Sequence, residues 1–417
     1  TQTGTNVING NFTITAGTYD QNSATTIIGG NLAVAGTLVA SGTTAFGVTT
    51  GTTLAQQTVA QSVSVSGTGS IQNLATSPTT NFSTVSFNNT SSTGVTLNPL
   101  NQVVANTSVA ASVSTGITFN GKVTTTDGKA LLWGTATSGS NTGLTVTSGG
   151  MTPGSAFARG WNAAHDGTNI NGSALPTATN SQFPLIDSAG NERHAWIQRV
   201  TPTATGILAV TYTDASGTVD VTIPDGAYTV EKRTQGKWSV SALGSTPSAT
   251  TFKLAITGTN AFGGVLATAN ARVTSASGVL GTNQTGTTLP HAQRIGLTLA
   301  ELTGNDFYMG INSSEITYQT VASGNWNDGA TWNKGTVPTA SDVATIAAGH
   351  TVTVDGSYTA AAAALTINST GALNVTANTL SLASLNNSGS VTVSGGALNT
   401  TTTITNPGTL TVSGGNV

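Results

Sequence analysis

Short runs in which apolar and polar residues alternate dominate this chain, and their period of two is that of a β-strand with one buried face, not of a helix. Near the C-terminus three such runs align: STGALNV at 369–375, NSGSVTV at 387–393 and NPGTLTV at 406–412, with Gly371, Gly389 and Gly408 at intervals of 18 and 19. Near the N-terminus GNFTI at 10–14 returns as GNLAV at 30–34, an interval of 20. One short strand and one glycine turn per repeat of about 20 residues predicts a β-solenoid, in which each coil stacks its strands on those of the coil before. Leu373, Val375, Val391, Val393, Leu410 and Val412 are then expected to point inward, and Asn374, Thr392 and Thr411 outward. Alternation of the same style continues through 62–74, 81–98, 112–123 and 141–150, so the first solenoid is expected to run past Gly121.

Between these ends the repeat is lost. HAWIQRV (194–200), GILAVTYT (206–213), TVDVTI (218–223), AYTVEKR (227–233), KWSVSAL (237–243), TFKLAIT (251–257) and GLTLAEL (296–302) read as strands separated by turns such as DASG and PDG. This pattern predicts an antiparallel β-sandwich of immunoglobulin type. The expected organisation is all-β: two parallel β-helix (β-solenoid) segments flanking an immunoglobulin-like β-sandwich. The boundaries are an N-terminal β-helix at 1–155, a linker at 156–180, the sandwich at 181–320, and a C-terminal β-helix at 321–417 opened by a tryptophan-rich cap.

Composition reinforces the β reading. Charged residues are 6% of the chain, against roughly 25% in ordinary domains. Thr, Ser, Gly and Asn take their place, and the good helix formers Glu, Lys, Arg and Met are scarce. From Thr1 to Gly121 the only charged side chain is Asp20, and from Gly356 to Val417 there is none; every other acid and base lies between Lys122 and Asp355. A net charge of −3 offers no basic surface for nucleic acid. No apolar run reaches the roughly 18 residues of a membrane span. The absence of cysteine fits an exported protein.

Several segments resemble a known group. GNFTITAGTYD paired with GNLAVAGTL, and GSIQNL followed by FSTVSFNNTSSTGVTLN, are similar to the repeats of large secreted β-helix proteins of the Bacteroidetes, many exported by the type IX system. GSAFARGWN (154–162) with QFPLIDSAGNERHAWIQRVTP (182–202) resembles the point where such proteins leave the helix for a sandwich-like module. SGNWNDGATWNKGTVPTASDVATIAAGHTVTVDG (323–356) is similar to the segment that opens a new β-helix in them. The resemblance implies an extracellular or cell-surface location, and adhesive or structural roles more often than enzymatic ones.

Candidate chemistry is sparse. Glycoside hydrolysis wants paired carboxyls and polysaccharide lyases want clustered acids on adjacent rungs, but Asp20 stands alone and the C-terminal coils from Gly356 onward carry no acid, base or histidine. His165, His194, His291 and His350 have no metal-like spacing, and no metal or other cofactor is expected. The ERH (192–194) and EKR (231–233) runs are expected to lie on a solvated face. Asp187-Ser188-Ala189 resembles a short O-glycosylation signal of Bacteroidetes exported proteins, which makes Ser188 a candidate for modification; a simple turn is the alternative. Trp326 and Trp332 allow two readings: an exposed platform for surface glycans, or a cap, broken at Pro338, over the open end of the second solenoid. The cap is preferred.

The expected function is a non-enzymatic structural subunit of an extracellular fibre or surface appendage, self-associating head to tail through uncharged coil ends or by strand addition. The alternatives are an adhesin or glycan-binding module of a longer repeat protein, and a carbohydrate-active β-helix enzyme.

Overall fold

A computed structural model describes residues 4–22, 24–35, 37–40, 42–50, 53–55, 61–65, 70–72, 81–97, 109–126, 129–133, 143–161, 181–244, 246–258, 262, 271–276, 278–284, 291–312, 317–356 and 358–417. The protein is nearly all β. Among the described residues α-helix is confined to Leu299–Gly304, where Thr298 and Glu301 form a reciprocal capping box. The chain divides into two compact units, one of Thr1–Thr259 with Ala269–Ile311 and the other of Asn260–Thr268 with Asn312–Val417.

The first unit opens with parallel pairing. One column of strands runs Thr5–Ile8, Thr25–Ile28, Thr43–Phe46, Asn81–Asn89 and Val109–Thr125. A second runs Phe12–Ile14, Leu32–Val34, Gln61–Val65 and Val95–Leu97. A third runs Thr18–Asp20, Thr37–Val39 and Ser70–Gln72. The interval of 20 holds for Phe12↔Leu32, whereas Leu32↔Val63 and Val63↔Leu97 both exceed 30, so the connections lengthen while the strands stay in register.

Register also builds the core. Phe46, Phe87 and Phe119 occupy equivalent positions of adjacent strands, and Phe157 and Phe183 extend the column. Their ring centroids are 5.9, 5.7, 5.9 and 6.2 Å apart in turn, within the range where aromatic pairs attract.

The change from parallel to antiparallel happens on one strand. Ala156–Trp161 pairs parallel with Ala130–Trp133 on one edge and antiparallel with Gly206–Thr213 on the other. The expected linker at 156–180 therefore begins as a strand buried on both faces; residues 162–180 of it lie outside the described residues. Beyond it two antiparallel sheets follow. One joins Gln182–Phe183, Ala195–Ala204, Ser248–Thr257, His291–Leu297 and Thr282–Asn283. The other joins Gly206–Thr213 to Lys237–Ala242 and Asp306–Ile311, with Tyr228–Thr234, Thr218–Asp225 and Arg272–Thr274 alongside.

The second unit holds two parallel sheets. Tyr318–Gln319, Val343–Ile346, Ala360–Ile367, Thr379–Asn387 and Ala397–Thr405 form one, and Gly324–Asn325, Thr351–Val354, Ala372–Val375, Ser390–Val393 and Thr409–Val412 the other. Parallel pairing thus already includes Tyr318 and Gln319, slightly ahead of the position expected from sequence. The repeat glycines are sterically required: a Cβ on Gly389 would collide with the Gly371 carbonyl, and one on Gly408 with that of Gly389. Beside them Asn387 is fully buried; its Nδ2 donates to Asn406 Oδ1 (2.6 Å) and the Thr409 carbonyl (2.9 Å), and its Oδ1 accepts from Gly389 N (3.1 Å).

Inward alternation is realised at Leu373, Val375, Val391 and Val393, all fully buried. Leu410 and Val412 depart from expectation: Leu410 is half-buried and Val412 is 49% exposed. The strand that carries them pairs on its inner edge with Ser390–Val393, and no further described rung covers their side chains.

Candidate functional site

The tryptophan-rich segment is folded by its own backbone. Asp328 Oδ1 accepts from Ala330 N at 2.9 Å and so starts the 3-10 turn Gly329–Thr331, which ends at Trp332. Trp326 N donates to the Thr353 carbonyl at 2.8 Å, tying the segment to the strand stack. The two indoles meet edge to face at 5.0 Å, and Trp332 Nε1 donates to the Trp326 carbonyl at 2.8 Å. Tyr318 packs against Trp332 at 6.1 Å, and Lys334 Nζ lies 4.6 Å over the Tyr318 ring. Trp326 and Trp332 are 0% and 1% exposed and belong to the same hydrophobic cluster as Val352, Leu373 and Val391. Neither ring presents a face to solvent, so the glycan-platform reading of this pair is corrected: the rings are core. Pro338 is buried as well. His350 serves the same joint, with Nδ1 2.9 Å from Thr320 Oγ1.

Ser188 sits exposed in a tight turn in which Gly190 N donates to the Asp187 carbonyl at 3.0 Å. Its own N–H donates to Asp214 Oδ2 at 2.9 Å, and its carbonyl accepts from Lys122 Nζ at 3.3 Å. Asp187 is the buried organiser of this turn. Its carboxylate accepts from Asn191 N (2.8 Å), Asn191 Nδ2 (2.9 Å) and Arg193 (2.7 Å).

The ERH run corrects a second expectation. Glu192 is exposed, but Arg193 and His194 are 5% and 4% exposed. Gln182 Nε2 stands 2.9 Å from His194 Nδ1, and burial pushes the imidazole pKa down to about 4, outweighing the Gly149 backbone, which favours the protonated form.

The feature that sequence reasoning missed lies where the parallel strands meet the antiparallel ones. Phe157, Arg159 and Trp161 share one face of their strand, and register places Leu131, Trp133 and Leu208 on the same face. Arg159 is 0% exposed, with its guanidinium carbon 4.2 Å over the Trp133 ring and 6.0 Å from that of Phe183. Among the described residues none of its three guanidinium nitrogens has a hydrogen-bond partner, and the buried indole nitrogens of Trp133 and Trp161 also lack acceptors. Burial pushes the Arg159 pKa well below the ordinary arginine value. A desolvated cation–π contact is worth about 2 kcal/mol, whereas an uncompensated buried ion costs several. The stacking alone does not offset the burial. Nearby Arg199, also fully buried, donates to the Ala204 carbonyl at 2.8 Å and lies 5.6 Å over the Trp161 ring. Strand parity was the available signal for Arg159, because alternation puts it inward between Phe157 and Trp161.

Arg233 stacks 3.9 Å over the Tyr308 ring, while Arg272 and Arg294 form ordinary ion pairs. Arg294 grips Asp225 with both terminal nitrogens, at 2.7 and 3.0 Å, and Arg272 Nε stands 3.1 Å from the same carboxylate. Among the described residues no group of three His, Asp or Glu side chains gathers as metal ligands would. No described helix is long and apolar enough to cross a membrane. His165 and Asp127 lie outside the described residues. Comparison with protein-family models, with curated proteins and with solved structures returns no match.

Proposed function

We propose that the protein is a non-enzymatic structural subunit of an extracellular fibre or cell-surface appendage. In this reading it is built as β-solenoid, immunoglobulin-like sandwich and β-solenoid, joins head to tail through the edges of its outer coils, whose strands carry no charge but Asp20, and uses its tryptophan segment to close one end of the second solenoid. The observation that carries the reading is a change in burial along equivalent positions. Val375 and Val393 are fully buried, each covered by the next rung, while Val412 in the outer rung is 49% exposed. The outer rung differs from the inner ones chiefly in lacking that cover.

Its edge is also unguarded. Sheets ordinarily block edge-to-edge pairing with charges, prolines or bulges on the edge strand. Thr409–Val412 has none of these, and no Lys, Arg, Asp or Glu occurs from Gly356 to Val417. At the other end Thr5–Ile8 pairs with Thr25–Ile28 alone among the described residues, and Val7 is 43% exposed. A coil of a second copy laid on either edge would continue the ladder and bury these valines. Because the two edges differ, the contact is heterologous and propagates. The extracellular location rests on the neutral, Thr- and Asn-rich coils and on the resemblance to secreted β-helix proteins.

Electron microscopy together with the intact native mass tests the proposal. Filaments built from a subunit of this chain's mass support it. Monodisperse particles at high concentration overturn it, as does a much longer native chain that forms no filaments, in which further coils of the same chain would cover the edge.

A further inference from the structure

We propose that Arg159 and Trp133 hold a small monovalent inorganic anion, chloride being the abundant case, sealed inside the first unit where its parallel strands meet the antiparallel ones. The site has four donors and no acceptor. Three are the guanidinium nitrogens of Arg159 and the fourth is Trp133 Nε1; all are buried, and none has a partner among the described residues. The two groups are adjacent, since Trp133 and Arg159 are register partners on neighbouring strands and the guanidinium stacks 4.2 Å above the indole.

Charge balance sets the valence. The ion pairs of the described residues join Asp187 to Arg193, Asp220 to Lys232, Asp306 to Lys237, and Asp225 to Arg272 and Arg294. Among the described residues no carboxylate is paired with Arg159, so its positive charge is left to balance. Arginine does not escape by releasing its proton in the physiological range. Leu131, Phe157 and Leu208 on the same face are fully buried and apolar, a surrounding that favours a weakly hydrated monovalent ion over a multivalent one. The chemistry is that of a structural counter-ion, taken up on folding and held by N–H donors in a site that excludes water.

The test needs no ligand beyond the salts themselves. Purified protein is dialysed exhaustively against chloride-free gluconate buffer and unfolded in guanidinium gluconate, and the released chloride is measured. Folding equilibria are also determined in increasing chloride at constant ionic strength. About one chloride per chain is expected. Above the dissociation constant, the folding constant should rise about tenfold for each tenfold increase in free chloride, because only the folded state binds. Arg159→Met should abolish both effects. If that variant does not fold, Trp133→Phe keeps the ring, removes one donor, and should raise the chloride concentration at which stabilisation begins. Release of no chloride from the wild type, together with stability independent of chloride, overturns the proposal. So does a chloride response that survives unchanged in either variant.

Discussion

The C-terminal stack and the antiparallel region handle buried polar groups in opposite ways. The stack from Gly356 onward has no charge to bury, and its interior amide, Asn387, is satisfied by groups that recur with the repeat. The antiparallel region buries arginines among aromatic rings and satisfies them one by one, through Asp187, Asp225 or a backbone carbonyl, and in Arg159 through nothing in the described protein. A repeat lets one rule, proved on one rung, serve every rung. A unique core needs a separate solution for each polar group, and there sequence reasoning is weakest.

Four experiments probe that contrast. Trp332→Ala removes a buried indole and its bond to the Trp326 carbonyl, and should destabilise the second unit by about 3–5 kcal/mol. Denaturant unfolding followed by limited proteolysis should show the second unit lost while the first stays protected. If folding were untouched and glycan binding lost instead, the core assignment of this ring would fail.

The pH dependence should belong to the antiparallel region. His194 titrates at about 4 in the folded protein and near 6.5 when unfolded. The unfolded state therefore binds the proton first, and stability falls as pH drops from about 6.5 to about 4, by about 3 kcal/mol, and no further through this group below that. Urea midpoints across this range should shift in the wild type and far less in His194→Gln. That comparison cancels carboxylates such as Asp306, where burial raises the pKa but hydrogen bonds and charge from Lys237, with a bond from Ser239, outweigh it and leave it depressed.

Gly389→Ala tests the stacking rule, because its Cβ has no room against the Gly371 carbonyl. A loss of about 1–3 kcal/mol is expected. Gly190→Ala, at a positive φ with open space around it, should cost about 1 kcal/mol by comparison. Equal effects at the two sites, measured by thermal or denaturant unfolding, would remove the steric account of the repeat. The smallest effect is expected at the exposed pair Lys232–Asp220, whose aspartate side chain is 82% exposed. Lys232→Ala should move stability by less than about 1 kcal/mol, and a larger shift would mean that surface charge matters more here than exposure implies.

What was legible in the sequence was parity and spacing. The buried quartet Leu373, Val375, Val391 and Val393 follows from alternation alone, and the 18- and 19-residue glycine intervals match the observed registers Leu373↔Val391 and Val391↔Leu410. Two features were not legible. Alternation marks which face a residue takes but not whether another rung covers it, which is why Leu410 and Val412 read as core although no further described rung covers them. Charge marks solvent in most strands, so Arg159, Arg193 and Arg199 were not recognised as buried; only the aromatic neighbours on their faces distinguish them. The tryptophans were ambiguous for a related reason, since an indole serves a sugar platform and a core equally well until its burial is known.

In the proposed assembly another copy covers the outer coil of the C-terminal stack. Sedimentation velocity over a concentration series, run on the wild type and on Val412→Lys, tests it most directly. Concentration-dependent growth is expected for the wild type, and a monomeric state with an unchanged unfolding midpoint for Val412→Lys. A wild type that stays monomeric at every concentration, or a variant that assembles as well as the wild type, would contradict it.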